Sequence, residues 1–461
     1  MPDPIRNELR SLVRLAFPLA AAQAGTQLMG LVDVAVLGRL GATELGAAGL
    51  GNSLFFALAI LGMGIVMGID PLISQALGAR AEVQARRVLW QGIWLALAVG
   101  LLLMIPMALS PRILPLLGID RSLIEPASVY VWVRMLSLPF FMGFIALRAY
   151  LQAHGVIRAM IFAMVAGNVF NLVADIVLVF GGRILPEWTG FLRHIPAFGI
   201  GGAAAASVIA QMVMVGILAL AVRAIRLDAE APADLHALDR PLFARGLRVG
   251  LPVGLQMGAE VGVFALVGLI AGKFGEAALG AHQVAITLAS FTFTVAVGVG
   301  AAGSVRVGRA IGARDQGGTR LAGLTAFAAG TGFMSLAALM FLLFPRPLAL
   351  LLTNQEAVLS IAVPLLAVAA VFQISDGVQG VGAGVLRGAG DTRYAFVANL
   401  VGHWLVGFPI ALLLGFTLGR GIVGLWWGLC VGLTAVAVLL LARFWRLSST
   451  EIAPIEEIAS R

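Results

Sequence analysis

Four carboxylates, Asp33, Asp175, Glu260 and Asp376, lie inside long apolar runs of the chain. A charge near the middle of a bilayer is costly on every scale, so an acid kept there points to work on a proton or a cation. Heights follow from a helical rise of about 1.5 Å per residue, counted from the nearest basic residue at the expected cytoplasmic end. Asp33 stands 19 residues beyond Arg14 and Asp175 17 beyond Arg158, which puts both about 25–28 Å up. Glu260 is 12 residues beyond Arg248 and Asp376 11 before Arg387, which puts both about 17 Å up. Each half of the chain therefore carries a level pair of acids. In the first half, Asn168, Asn171 and Asp175 are spaced three and four apart and share one helix face. Ser207, 16 residues before Arg223, reaches the height of Asp175. The pattern predicts an oxygen-rich cluster that can hold a proton, released through a shifted carboxyl pKa, or a hard cation such as sodium.

Each acid has a plainer reading beside the functional one. Asp33 is about four residues from the outer end of its run, within the boundary error of such readings, where it would simply meet water. Asp175 has structural hydrogen bonding as its alternative. Asp70, just before Pro71 and ten residues from Arg80, reads as a solvated or structural end residue, while Arg148 and Arg387 read as snorkelling cations. His154, His194 and His236 fall in expected loops, and His282 and His403 in apolar surroundings that favour packing or hydrogen bonding over ligation. No nucleophile with a base, HExxH motif or Walker loop is present. The single cysteine, Cys430, rules out an intramolecular disulfide or a cysteine metal site. The expectation is a non-enzyme with no cofactor beyond a coupling H+ or Na+.

The elements that must position these acids are transmembrane helices. The chain has 461 residues, 60% hydrophobic and 12% charged, with a mean hydropathy of +0.99, more than a soluble core can hide. A spanning helix needs about 20 apolar residues. Apolar runs near 12–37, 47–77, 88–109, 127–151, 159–182, 199–223, 247–271, 279–303, 321–344, 358–386, 395–418 and 421–445 predict an all-α polytopic protein with twelve of them. Arg6, Arg10 and Arg14 before a small-residue stretch imitate a signal peptide, but Arg14 interrupts what would be its apolar core. The net charge of +8 comes from Arg scattered at helix ends rather than from a nucleic-acid patch. With the N-terminus inside, cytoplasmic segments hold 22 Lys and Arg against eight outside, with Arg134 counted as inside a span, so both termini are expected in the cytoplasm.

The chain also repeats itself. A shift of 234 superimposes Pro18 on Pro252, Gly38 on Gly272, Gly46 on Gly280, Gly64 on Gly298, Gly78 on Gly312 and Arg80 on Arg314 without a gap. A shift of 235 then pairs Leu151 with Leu386, Gly155 with Gly390, Arg158 with Arg393 and Gly167 with Gly402. Six spans per half is an even number, so the halves are expected as two six-helix bundles related by a pseudo-two-fold axis along the membrane normal. The expected division is an N-lobe over 1–223, a polar cytoplasmic linker over 224–246 carrying Asp228, Glu230, Asp234 and Asp239, and a C-lobe over 247–461.

Several segments in order carry a resemblance to one family. They are Leu31-Val32-Asp33-Val34-Ala35-Val36-Leu37-Gly38, then Pro252 to Glu260, then Ala281-His282-Gln283-Val284-Ala285. The most specific is Asp376-Gly377-Val378-Gln379 leading to Gly384-Val385-Leu386-Arg387-Gly388-Ala389-Gly390-Asp391-Thr392-Arg393. Across essentially its whole length the chain resembles the multidrug and toxic compound extrusion (MATE) family. That resemblance implies a bacterial inner-membrane antiporter exporting lipophilic or cationic compounds in exchange for H+ or Na+ by alternating access. By it, Asp33, Asn171, Asp175 and Ser207 match the first-lobe cation cluster of the DinF-type branch, with Ser207 in place of a threonine. Glu260 and Asp376 match second-lobe acids of the NorM-type branch, with Gln283 in a neighbouring matched segment. A tyrosine usual near that second set is Phe372 here, which counts against sodium there. The expected partners are a small cationic amphipathic substrate and the bilayer, with no nucleic acid and a monomeric chain. A flippase for lipid-linked precursors is the alternative, and would call for a more cationic cavity; an intramembrane enzyme is a distant third.

Overall fold

A computed structural model describes residues 4–227 and 232–455, so Asp228 and Glu230 of the expected linker lie outside the described residues. Among the described residues the chain forms twelve long helices and no strand. They are α1 (Pro4–Leu37), then α2 (Ala42–Gly78), α3 (Glu82–Arg112), α4 (Arg121–Ala153), α5 (Ile157–Phe180), α6 (Gly199–Ala224), α7 (Arg240–Phe274), α8 (Glu276–Gly312), α9 (Gln316–Leu343), α10 (Glu356–Gly388), α11 (Thr392–Thr417) and α12 (Gly421–Leu447). Helices α2 to α12 are each long and apolar enough to cross a membrane. The 34 residues of α1 also exceed the required length of about 20. Several helices extend beyond their apolar runs by one or two turns, because Arg and Glu at those ends are good helix formers whose heads reach water.

Three spans are interrupted in their interior. In α2 the helix stops at Val66 and resumes at Ile69. In α4 a 3-10 turn covers Met135–Ser137. Pro139 explains it: the ring removes a backbone donor and crowds the carbonyl four residues back, at Met135. In α11, π-helical turns cover Val401–Gly407 and Leu413–Thr417, the kind of widened turn often found at functional sites. The N-terminus of α4 is capped by Asp120, whose carboxylate accepts from Ser122 N and Oγ, both at 2.8 Å. Those two donors hold the Asp120 carboxyl below the usual carboxylate range.

The chain groups into two compact units: Ala21–Ile69 with Glu82–Gly254, and Asp70–Ala81 with residues up to Ala20 and from Leu255 onward. Passage between units inside α1 falls after Ala20 and inside α7 after Gly254, positions that are equivalent under the 234-residue repeat and each two residues past a helix proline. The repeat reappears in the backbone. Arg80 (φ 58°) and Arg314 (φ 55°) are the non-glycine left-handed residues among those described, and Gly155 and Gly390 pair the same way.

In the first unit, the described linker residues are tied to α3. Gln91 Nε2 donates to Ala237 O at 2.8 Å, Trp94 Nε1 to His236 O at 3.0 Å, and Arg87 pairs with Asp234 at 3.2 Å. His236, in a turn as expected, packs its ring 4.3 Å from that of Trp90. In the second unit, Asp70 and Arg387 correct the reading of two separate end residues: their side chains meet at 3.4 Å and are 14% and 10% exposed.

Candidate functional site

The first-unit cluster is assembled by helix periodicity and by small residues. On α5 the packed positions are Met160, Ala163, Met164, Gly167, Asn171, Asp175 and Val179, while Phe162, Val165, Val169, Phe170 and Val173 face outward. The steps of three and four put Asn171 and Asp175 on the packed stripe. Facing it, α6 presents Gly201, Gly202, Ala203, Ala204, Ala206 and Ser207. A Cβ on Gly202 would stand 2.4 Å from Leu178 O, so glycine there lets α6 close onto α5 and delivers Ser207 to the cluster.

Asn171, Asp175 and Ser207 are fully buried and Asp33 is 8% exposed. Ser207 Oγ donates to Asp33 Oδ2 at 3.2 Å. Asp175 and Asn171 stand beside Asp33 in the same cluster. Among the described residues, neither oxygen of Asp175, neither amide atom of Asn171 and not Oδ1 of Asp33 has a hydrogen-bond partner. Buried polar atoms are nearly always paired, and two facing carboxylates need a proton or a cation between them. Asn168 stands apart: its amide nitrogen donates to Gly25 O at 3.2 Å and Met164 O at 2.9 Å, bracing α5 against α1.

The second-unit acids line a different kind of site. Glu260 on α7 accepts from Gln379 Nε2 and Asn399 Nδ2, both at 3.0 Å. Glu260 and Asp376 border a cavity of about 680 Å³ that also takes in Phe264, His282, Gln283, Phe293 and Phe372. An aromatic chain runs beside it: Phe264 to Phe372 at 5.9 Å, Phe372 to Trp426 at 5.4 Å, and Phe264 to His403 at 6.0 Å. The histidines are engaged as packing groups, His282 Nδ1 accepting from Trp426 Nε1 at 3.2 Å and His403 Nδ1 lying 3.3 Å from Asn399 O. Ser375 Oγ meets Thr434 Oγ1 at 2.7 Å behind this wall. Among the described residues, no group of three His, Cys, Asp or Glu side chains forms a metal site.

Sequence reasoning missed three participants. Asn399 and Gln379 supply the donors to Glu260; Gln379 stands inside a motif already singled out, three residues after Asp376. Arg134 lies 4% exposed in α4, its guanidinium 4.2 Å over the ring of Phe55. Its signal was plain in retrospect, since it is the one basic residue more than three residues from either end of an apolar run.

Fold and sites together define a polytopic, all-helical membrane protein with one closed acidic cluster and one acid-bordered aromatic cavity. The chain belongs to the MatE family, whose model matches residues 18–177 and 252–413, with starts separated by the repeat interval. It is 34% identical over 458 residues to the multidrug resistance protein NorM of Burkholderia vietnamiensis, covering 98% of this chain and 97% of that one. It is 36% identical over 459 residues to a probable multidrug resistance protein NorM of Mesorhizobium japonicum, covering 96% and 94%. A crystal structure of a MATE protein in a bent conformation superimposes over the full length of both chains with a TM-score of 0.85 at 20% identity, a likeness of fold.

Proposed function

We propose that this chain is a secondary antiporter that exports lipophilic cations from the cytoplasm in exchange for a monovalent cation. The observation that carries the reading is the difference between its two acidic sites. The Asp33–Asp175 cluster is buried from solvent and holds unpartnered oxygens. The Glu260–Asp376 site opens on a cavity of about 680 Å³, within the range of small-molecule pockets. Its aromatic faces and acids suit a flat or bulky organic cation. In this assignment the first cluster carries the coupling ion and the second the substrate, with Gln283 and Phe372 as wall residues. The names of the NorM relatives support multidrug substrates.

Coupling needs cation and substrate to favour different conformations, since a ligand shifts an equilibrium only by its differential affinity. The cycle is alternating access between lobes 1–223 and 247–461 in a monomer of the bacterial inner membrane. The charge asymmetry of the loops supports cytoplasmic termini. The test is efflux of a fluorescent lipophilic cation from proteoliposomes under an imposed proton or sodium gradient. Wild type should transport under one gradient, and Asp33→Asn should lose that dependence. Failure of both gradients to move the dye would sink the exporter reading and favour the lipid-precursor flippase.

A further inference from the structure

Where α1 and α9 both begin, a cleft of about 640 Å³ runs between them, with both walls in one compact unit. The start of α1 is held there by Glu8, whose carboxylate accepts from Arg306 Nε of α8 at 2.7 Å. Ile5 and Leu9, four residues apart and so on one helix face, line the cleft and are 58% and 41% exposed. Opposite them α9 presents Gly317, Leu321, Leu324 and Ala328, whose steps of four, three and four make a single stripe. From Gly317 to Ala328 that stripe rises about 17 Å. Half of a bilayer's hydrocarbon core is about 15 Å. The cleft is therefore as deep as one leaflet.

One lining residue carries a charge. Arg320, one turn into α9, borders the cleft with its guanidinium 4.7 Å over the ring of Trp445 from α12. Trp445 is itself half exposed, and tryptophan gathers at the level of lipid headgroups. Stacking fixes the guanidinium plane while its edge stays suited to a phosphate oxygen. The acids at this end of the unit are engaged elsewhere. Glu8 is held by Arg306 and Glu451 lies 4.0 Å from Arg314, while Asp315 caps α9 by accepting from Gly318 N at 2.8 Å. Arg6 and Arg10, each one residue beyond a cleft residue of α1, are exposed and add two further cations. The result is an apolar trough one leaflet deep with a basic rim. An organic cation would find Arg320 and no acid in its walls; an amphiphile with an anionic head fits both parts.

We propose that the cleft between α1 and α9 binds one anionic glycerophospholipid, with its phosphate on Arg320 and an acyl chain along Leu321, Leu324 and Ala328. Arg6 and Arg10 add attraction for the headgroup, as basic residues beside an anionic membrane surface do. A lipid seated there packs α1 against α9.

The test is native mass spectrometry of the purified full-length protein in detergent, titrated with phosphatidylglycerol or phosphatidylcholine of identical acyl chains. The first phosphatidylglycerol should bind at least about tenfold more tightly than the first phosphatidylcholine. Arg320→Gln should shrink that preference to about twofold or less. Ala328→Trp, at an exposed position, fills the trough with Arg320 intact and should weaken phosphatidylglycerol by at least about fivefold. Arg158→Gln, which removes an exposed arginine from α5 in the other unit, should change neither lipid. Equal affinity of the wild type for the two lipids overturns the proposal. So does an Arg158→Gln loss as large as that of Arg320→Gln, which would mean general attraction to positive charge. Displacement of phosphatidylglycerol by an equal concentration of glycerol phosphate, or unchanged binding in Ala328→Trp, would show an anion site that uses no acyl trough and would overturn it as well.

Discussion

At the scale of residues, the chain pairs charges it cannot afford to leave alone. Asp70 and Arg387 show the cost most simply, since both are largely buried and meet at 3.4 Å. Removing one member strands the other, which costs about 3–5 kcal/mol for a buried pair. Asp70→Asn should therefore lower thermal stability sharply, and Arg387→Met added to it should restore much of the loss, as followed by thermal unfolding in detergent. A double variant no more stable than Asp70→Asn would mean that the pair is not a unit. Individual acids were legible from depth alone: Asp33, Asp175, Glu260 and Asp376 all proved buried or bordering a cavity. Their partners were not. Helix periodicity links residues three or four apart, so it joined Asn171 to Asp175. It cannot join Asn399 to Glu260, 139 residues away.

At the scale of elements, close helix crossings depend on glycine at particular contacts. A Cβ on Gly384 of α10 would lie 2.2 Å from Gly300 O of α8, so the two backbones must separate to admit it. Gly384→Ala should destabilise the protein by about 1–3 kcal/mol, the usual cost of overpacking. Gly332→Ala on α9, where nothing lies within 4 Å, should instead stabilise by about 0.5–1 kcal/mol, the helical preference for Ala. Thermal unfolding of the two variants side by side decides it; equal effects would contradict the packing argument. The twelve helices were legible because an apolar run of about 20 residues matches the thickness of a bilayer and exceeds what a soluble helix buries. The π-helical turns of α11 were not, because they come from how Gly402 and Gly407 seat against Gly432 and its neighbours on α12. No local pattern encodes that fit.

At the scale of the molecule, duplication supplied two halves in one register, but each half carries its acids at non-equivalent positions: Asp33 aligns with Val267, Asp175 with Ile410, Glu260 with Thr26 and Asp376 with Phe141. The repeat survives in register, in the left-handed turns at Arg80 and Arg314, and in the two matched stretches of the family model. Around the first pair α5 and α6 closed over small residues; around the second, Phe264, Phe293 and Phe372 left an open, aromatic space. The division of labour proposed from that contrast is tested most directly by equilibrium binding of a fluorescent lipophilic cation to purified wild type, Asp33→Asn and Glu260→Gln. The account predicts at least a tenfold loss of affinity in Glu260→Gln, about 1.4 kcal/mol, and a change within about twofold in Asp33→Asn. Loss of binding in Asp33→Asn with Glu260→Gln unaffected would contradict it.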